Sequence, residues 1–573
     1  MQGSIPAGRR AALARRSRVL ALCTLLLAAC ATGRGESTSS AGPIACEILI
    51  LGGSFGGSAA ALGAHGRDVW VVEDSDWIGG QVTSQGVSAL DEHAHIETFG
   101  GTLRYEQFRS TVRALSGGRS NPGAGWVSRL CFLPRAGLAA LEQMLAGGPR
   151  VLRGAQAVEA VVEHARIVSV TVRDRAGLEL EFHPRFVLEA TDAGDFLPLC
   201  GAPFRQGAEA RAETGEPHAA ELADPRRQQS FTWCFAVEFR PGEDHTIERP
   251  PGYERFRDTQ PYSLSLPYPD GSRRRYGFFE KGEGFGPFWT YRRIAREPEI
   301  ALINWPGNDY RGTPLLDADH DEARRLSLGF LHWLQTECPR DDGGSGYPEL
   351  MLRPDVMGTS DGLALRPYVR EGRRLRALGT VVEQDLTPDT ARARPMADAV
   401  GLGWYPIDVH TCAGDVEERG GLAIPTRPFQ IPLAAMLAEA PENLIAAGKC
   451  FGATHVTNGA YRLHPIEWNI GESAGQLASF CLAHGVSPRD VLEQTGWRRA
   501  FQVALLEAGI PLYWFIDLRR EDPLWAAAQA LAVWGELQAD PRDLRLGAQP
   551  EQREAWLARY QALCDELPGR ARD

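Results

Sequence analysis

The strongest constraint on this chain is a glycine-rich turn between two apolar runs, in the stretch Glu47 to Gly80, EILILGGSFGGSAAALGAHGRDVWVVEDSDWIGG. Ile48 to Leu51 reads as a buried parallel strand. Ser58 to Ala64 reads as a helix of small residues, able to pack closely on that strand. Asp68 to Val72 reads as a second strand, with Glu73 at its end. This is a βαβ unit, and each part has a chemical use. Gly52 makes the tight turn, the loop backbone can approach a pyrophosphate, and a helix N-terminus offers it N–H groups and a positive dipole end. An acid about 20 residues beyond the first glycine accepts hydrogen bonds from a ribose hydroxyl and disfavours a 2′-phosphate. The candidate dinucleotide contacts are therefore Gly52, Gly53, Ser54, Phe55, Gly56, Gly57, Glu73 and Asp74. One letter departs from G-x-G-x-x-G: Ser54 stands at the middle glycine. The bland alternative is a glycine turn in some other α/β domain.

The 573 residues exceed one ordinary domain. The formal charge is −12, and the first 29 residues hold five arginines and no acid, so the body without them is more acidic still. Such a body argues against nucleic acid as a partner. Arg9, Arg10, Arg15, Arg16 and Arg18 precede a short apolar run, Val19 to Ala29, too short to span a bilayer. It ends Leu27-Ala28-Ala29-Cys30, which resembles a bacterial lipobox. The expectation is an exported protein of the cell envelope, held to the membrane through a lipidated Cys30; an ordinary signal peptide with a chance cysteine is the alternative. The Arg15-Arg16 pair hints at export of folded cargo. Eleven cysteines include no C-x-x-C pair, so neither a zinc ribbon nor an iron–sulfur run is legible, no metal site is expected, and buried reduced thiols are the simpler reading.

Further on, Gly79-Gly80 with Gln81 and Thr83 forms a polar glycine turn, and helices are expected over Tyr105 to Leu115 and Pro134 to Leu145. Arg150 to Phe186 alternates as a β-meander that returns to a buried strand ending Ala190-Thr191-Asp192-Ala193-Gly194-Asp195. A loop at the carboxyl end of a parallel strand faces the cofactor crevice, so Thr191 and Asp192 are candidates. From Gly201 to about Val400 the chain is rich in Pro, Arg and aromatics. It predicts a strand over Phe231 to Phe239 and a helix near Asp319 to Thr336. Arg370 and Arg374 fit either anion binding or a solvated basic face.

Leu444 to Ala447 predicts a strand ending at Gly448. A polar loop, THVTNGAYRLHPIEWN, then leads to a predicted helix over Gly471 to Leu482. Gly471, Glu472 and Ser473 would open that helix and offer N–H groups to a charged ligand edge. His455, Tyr461, Arg462, His464 and Glu467 cluster just before it: the histidines are candidate general bases, and Tyr461 and Arg462 candidate anchors for substrate oxygens. A hydrogen-bonded structural loop is the alternative. Beyond Ser487-Pro488 the chain reads as helical, with an amphipathic segment over Pro523 to Leu537.

Together the G-G-S-x-G-G turn, Glu73, the W-I-G-G-Q loop, E-A-T-D-A-G-D and N-L-I-A-A-G-K-C…R-L-H-P-I-E-W-N-I-G-E-S-A-G resemble the FAD-dependent oxidoreductases of the glutathione-reductase-like superfamily. They resemble most the group that includes heterodisulfide reductase A, in which Ser or Thr often fills the middle position. The resemblance implies FAD, with the pyrophosphate on Gly52 to Gly57 and near Thr191 and Asp192, the adenosine ribose on Glu73, Gly80 and Gln81 along the cofactor, and Gly471 to Ser473 near the flavin ring. Its departures also matter: the iron–sulfur cysteine spacing of heterodisulfide reductase A is missing, and a single dinucleotide fingerprint leaves NAD(P)H without an evident site. The electron acceptor stays open, as does covalent attachment of flavin through His93 or His95. The segment Trp514 to Leu537 is weakly similar to part of an S-layer-homology repeat.

The expected fold class is α/β. A signal peptide with lipobox (1–30) and a flexible tether (31–45) precede a Rossmann-like FAD-binding domain, a parallel sheet with a β-meander, in two parts (46–200 and 401–485). A mixed α+β substrate-binding insertion (201–400) divides it, and a helical C-terminal region (486–573) follows. The expected function is passage of a hydride between a small organic substrate and flavin N5. The alternative is an envelope-anchored FAD protein with a structural or electron-transfer role.

Overall fold

The first strand, β1 (Ile44–Leu51), starts four residues before the apolar run that announces it. Its early residues are held by a strand far along the chain, with Ile44 opposite Phe182 and Leu51 opposite Glu189. Hydropathy cannot show such a partner. The computed structural model describes residues 42–267, 272–387, 395–415, 422–537 and 543–569. The leader, Cys30 and most of the tether lie outside the described residues; Ile44 and Ala45, assigned to the tether, are already strand.

Helix α1 (Phe55–Gly63) begins three residues earlier than its composition suggests, because Ser54 caps it: the Ser54 hydroxyl accepts a hydrogen bond from the Gly57 N–H at 3.1 Å. Strand β2 (Val69–Glu73) runs parallel to β1, with Leu51 opposite Val72. Helices α2 (Leu103–Leu115) and α3 (Pro134–Leu145) form as expected, and α2 turns Tyr105, Phe108 and Val112 into the core. Strand β3 (Arg150–Arg153) joins β2 in parallel. The meander is β4 (Ala155–Glu163), β5 (Arg166–Asp174) and β6 (Glu179–Glu189), and β6 returns parallel to β1. The sheet order is β3-β2-β1-β6-β5-β4.

The middle of the chain builds a second, antiparallel sheet. The expected strand over Phe231 to Phe239 is two pieces, Phe231–Thr232 and β7 (Phe235–Phe239). With β8 (Arg293–Arg296), β9 (Glu299–Ile303) and, after helix α4 (His320–Thr336), β10 (Leu350–Leu352), it gives the order β8-β9-β7-β10. Its core is aromatic, with Trp233, Tyr262, Trp305, Phe330 and Trp333 buried together. A hairpin follows, β11 (Ile407–Val409) with β12 (Leu422–Ile424).

Strand β13 (Leu444–Ala446) then adds to the first sheet, parallel to β6. The polar loop expected next is instead a helix, α5 (His455–Tyr461), started by a Thr454 capping box. The following helix, α6 (His464–His484), starts seven residues before Gly471, at a proline in its first turn. Its interior glycines serve packing. A Cβ on Gly471 would lie 1.9 Å from the Gly56 carbonyl oxygen, and one on Gly475 would lie 2.0 Å from that of Ala60. Helices α1 and α6 therefore touch backbone to backbone.

Four helices close the described chain: α7 (Pro488–Glu493), capped by Ser487, α8 (Thr495–Glu507), α9 (Leu524–Val533) and α10 (Pro550–Cys564). Among the described residues no helix is long and apolar enough to cross a membrane. The described cysteines are buried and unbridged.

Candidate functional site

The nucleotide cradle forms where β1, β2 and β6 end together. Gly52 has φ +94°, and a Cβ there would lie 2.4 Å from the Ala190 oxygen at the end of β6. A side chain is excluded by both conformation and space. Glu73 closes the turn from the side: one carboxylate oxygen accepts the Gly53 N–H at 2.8 Å, the other the Ser75 N–H at 2.9 Å and hydroxyl at 2.5 Å. Burial, joined by the neighbouring Asp74, pushes the Glu73 carboxyl up to about 8. Asp74 itself is exposed, pairs with Arg366 at 2.6 Å and lies at the rim. The Phe55 ring packs inward against Trp468, at 4.8 Å between centroids, so this residue offers the cradle its backbone alone. Gly80 is left-handed at φ +46°, and a Cβ there would meet Ser54 at 3.0 Å.

The far segment supplies the other wall. Glu467 in the first turn of α6 accepts the Gly56 N–H at 3.1 Å and bonds the side-chain amide of Gln81. Burial raises its carboxyl to about 7. Lys449 lies next to Gly448 and bonds Asp192 at 2.7 Å and the Val369 oxygen at 2.8 Å. Burial works against the lysine charge, but Asp192 and Glu467 outweigh it and its pKa is raised. Thr191 bonds Glu189 and accepts the Asp195 N–H at 2.7 Å. Thus the structure brings Gly52 to Gly57, Glu73, Gly80, Gln81, Thr191, Asp192 and Gly448 to one place. Glu467, a member of the titratable cluster expected from the sequence, belongs with them, and so does Lys449, which lies inside the N-L-I-A-A-G-K-C motif but has no local signal for a role.

The cradle fits FAD. The Gln81 carbonyl oxygen and one Glu189 oxygen are buried with no hydrogen-bond partner, and the Gly52 turn carries no side chain where it closes on the end of β6. Bare backbone and unspent polar atoms in a buried cleft are what a dinucleotide completes.

Three expectations at the C-terminal segment need correction. Gly471, Glu472 and Ser473 do not open a helix; they lie in the middle of α6. Gly471 abuts Gly56, Glu472 accepts from Thr102 at 2.6 Å and Arg104 at 3.0 Å, and the Ser473 hydroxyl donates to the Val400 oxygen at 2.7 Å. Their N–H groups are spent on the helix. Tyr461 is a core residue, donating to the Gln430 oxygen at 2.6 Å with its ring stacked on Phe451. His464 accepts the Asp91 N–H at 3.0 Å and bonds the Val87 oxygen at 3.2 Å, so neither ring nitrogen is left for substrate. Burial lowers its pKa to about 4.

His455 belongs to a buried ion network. Its Nδ1 lies 2.9 Å from Glu371, which pairs with Arg374, and Arg374 also reaches Glu209 at 2.8 Å. Arg374 is therefore no part of a solvated basic face, and neither is Arg370, buried against Asp309 at 3.0 Å. His93 and His95 stack on Trp404 at 5.4 and 5.5 Å.

Of the four catalytic candidates, Arg462 lines a large cavity. The cavity holds about 810 Å³ between the aromatic sheet, the β11–β12 hairpin and the segment around Tyr368. The Arg462 guanidinium bonds the Tyr368 hydroxyl at 3.0 Å and Asp408 at 3.1 Å, while its backbone oxygen accepts from Gln81 at 3.3 Å. The cavity wall is thus one residue from the cofactor cradle. His410 also lines it, with Nδ1 2.8 Å from Asp309 and Nε2 3.4 Å from Asp408. Asp309 is buried, yet Arg370 and His410 hold its carboxyl down at about 2. An imidazole fixed between carboxylates is a proton-transfer arrangement. The sequence reading missed it because its members are scattered from Asp309 to Arg462 with no local motif.

No curated protein matches the chain. Solved structures that it resembles include p-nitrophenol 4-monooxygenase PnpA from Pseudomonas putida DLL-E4, at 10% identity over 91% of this chain and 99% of that one, with a TM-score of 0.32. OxyS anhydrotetracycline hydroxylase from Streptomyces rimosus gives 12%, 92%, 77% and 0.31 in the same order. The myxobacterial chondrochloren halogenase CndH gives 12%, 91%, 91% and 0.29. The sequence profile of one family, described as FAD dependent oxidoreductase, matches residues 47–505. That match covers most of the chain, so the chain belongs to the FAD dependent oxidoreductase family, and its cofactor is FAD.

Proposed function

We propose that this oxidoreductase passes a hydride between a small organic substrate and flavin N5, with the substrate held in the cavity that Arg462 shares with the cofactor cradle. The observation that carries the reading is that shared residue: its backbone bonds the cofactor loop at Gln81 and its guanidinium faces the cavity wall formed with Tyr368 and Asp408. FAD supplies the two-electron chemistry when bound. The chain supplies position and proton handling. Once the substrate displaces Asp408, 3.4 Å away, from Nε2, His410 takes the proton that leaves a substrate hydroxyl or amine as it is oxidised, or returns it in the opposite direction. Asp309 orients the imidazole, and Arg370 keeps Asp309 ionised. Arg462 holds a substrate oxygen. The test is anaerobic flavin reduction against sugars, hydroxy acids, amines and steroids, repeated with His410→Ala and Arg462→Ala. A reducing compound that works equally well on both variants refutes the assignment of this cavity.

Ser54 at the middle fingerprint position supports kinship with the group containing heterodisulfide reductase A, without the iron–sulfur clusters of that protein. We also propose export and anchoring through Cys30, on the basic leader and the Leu27-Ala28-Ala29-Cys30 run. Labelled palmitate incorporated by the wild type and not by Cys30→Ser supports anchoring; equal labelling refutes it.

A further inference from the structure

The polarity of the cavity is inverted relative to an ordinary protein surface. Its inner lining is ionic and buried: Arg292, Arg370, Arg462 and Asp309 are each less than a tenth exposed. Its rim is apolar and open: Phe285 is 71% exposed, and Leu266, Pro267, Pro406, Leu422 and Ile424 are all at least partly exposed. Charges normally stay in water and large apolar groups leave it, so both halves of this pattern call for a ligand.

The sign of the inner charge is also defined. Among the described residues, four arginines line the cavity against three aspartates. The Nε–H groups of Arg292, Arg370 and Arg462 are buried without an acceptor, while no lining carboxylate oxygen is left in that state. Arg292 is loosely held: its carboxylate partner, Asp91, is 3.7 Å away, its bond to the Ala89 oxygen is 3.5 Å long, and the Tyr291 hydroxyl is a further polar neighbour. An interior with spare donors and excess positive charge is completed by an anionic acceptor, and a guanidinium matches a carboxylate in geometry.

We infer that the substrate is an amphiphilic carboxylate, bound head-first with its carboxylate among Arg292, Arg370 and Arg462 and its apolar body leaving past Phe285. This rests on the reading of the cavity as the substrate site and narrows it to one chemical class. Aromatic walls at Tyr276, Tyr291 and Trp305 suit an apolar body, and the volume accommodates one of ordinary metabolite size.

The test measures binding to the flavin-loaded protein by calorimetry, with flavin absorbance followed separately. The probes are decanoate, decanol, which keeps the body without the charge, and butyrate, which keeps the charge without the body. Decanoate should bind tightest, gaining roughly fourfold per buried methylene over butyrate and more than tenfold over decanol. Arg292→Gln should weaken decanoate at least tenfold and leave decanol unchanged. Phe285→Ser, on a side chain that is 71% exposed, should weaken decanoate and decanol alike and spare butyrate. Equal binding of decanoate and decanol, or no effect of either substitution on decanoate, overturns the inference. Flavin reduction by a neutral, short polar compound that decanoate does not inhibit also overturns it while leaving the hydride-transfer reading intact. Decanoate binding with the expected variant pattern, but no flavin reduction by any carboxylate or panel compound, upholds the inference and refutes the redox reading instead.

Discussion

Gly471→Ala separates two accounts of the C-terminal segment. If Gly471 opened a helix toward the flavin, alanine would leave the fold intact and alter the flavin alone. The structure places it inside α6, where the new methyl carbon would lie 1.9 Å from the Gly56 oxygen and 2.6 Å from its carbonyl carbon. Ordinary contact begins near 3.4 Å, so the helices must part by about 1.5 Å. Overpacking a core costs about 1–3 kcal/mol. Both clashing groups here are backbone and cannot rotate away, which puts the cost at the upper end, about 3 kcal/mol. Alanine's better helix propensity returns about 1 kcal/mol. The net destabilisation is about 2 kcal/mol. For 573 residues the unfolding entropy is roughly 1.2 kcal/mol/K, so the thermal midpoint should fall by about 2 °C. Moving α1 also moves the cradle, so flavin retention should fall with it. Differential scanning fluorimetry and flavin absorbance per protein are the readouts. Gly448→Ala, whose nearest new contact would be 3.6 Å away, is the control for the thermal midpoint alone, since Gly448 itself belongs to the cradle. A midpoint for Gly471→Ala at or above wild type, with full flavin, would refute the backbone-contact argument.

Ser54→Ala should cost about 1 kcal/mol through the lost helix cap, and Ser54→Gly, which restores the usual fingerprint letter, a few tenths; chemical denaturation of the two variants distinguishes them. His464 has a folded pKa of about 4, below the ordinary histidine value, so the unfolded chain takes up its proton first. Stability from this residue is complete above about pH 6.5 and is lost as the pH falls toward 4, up to about 3 kcal/mol; melting curves from pH 7 to 4.5 should show the slope, and His464→Gln should flatten it. Arg374→Met leaves Glu371 and Glu209 buried without their cation and should cost about 3–5 kcal/mol, read as loss of soluble protein.

What was legible in the sequence was what local backbone demands. Gly52 and Glu73 could be placed because a tight turn and a strand-end acid each leave a mark within a few residues. The start of α6 was equally legible, since Pro465 in its first turn marks it, but the glycines at 471 and 475 drew the boundary inward. Glycine there signals close approach to another helix, and only the partner, Gly56, reveals it. The His410 site left no mark at all. Its geometry arises when the β11–β12 hairpin, Asp309 and Arg370 meet, and those contacts have no sequence period.

The bond from Gly56 to Glu467 joins residues 411 apart. During synthesis, at about 5–20 residues per second, roughly 20–80 s separate the emergence of the glycine turn from that of the wall that completes it. The N-terminal half of the cradle must wait for its far strand and helix, so flavin loading is a late event in the life of each nascent chain.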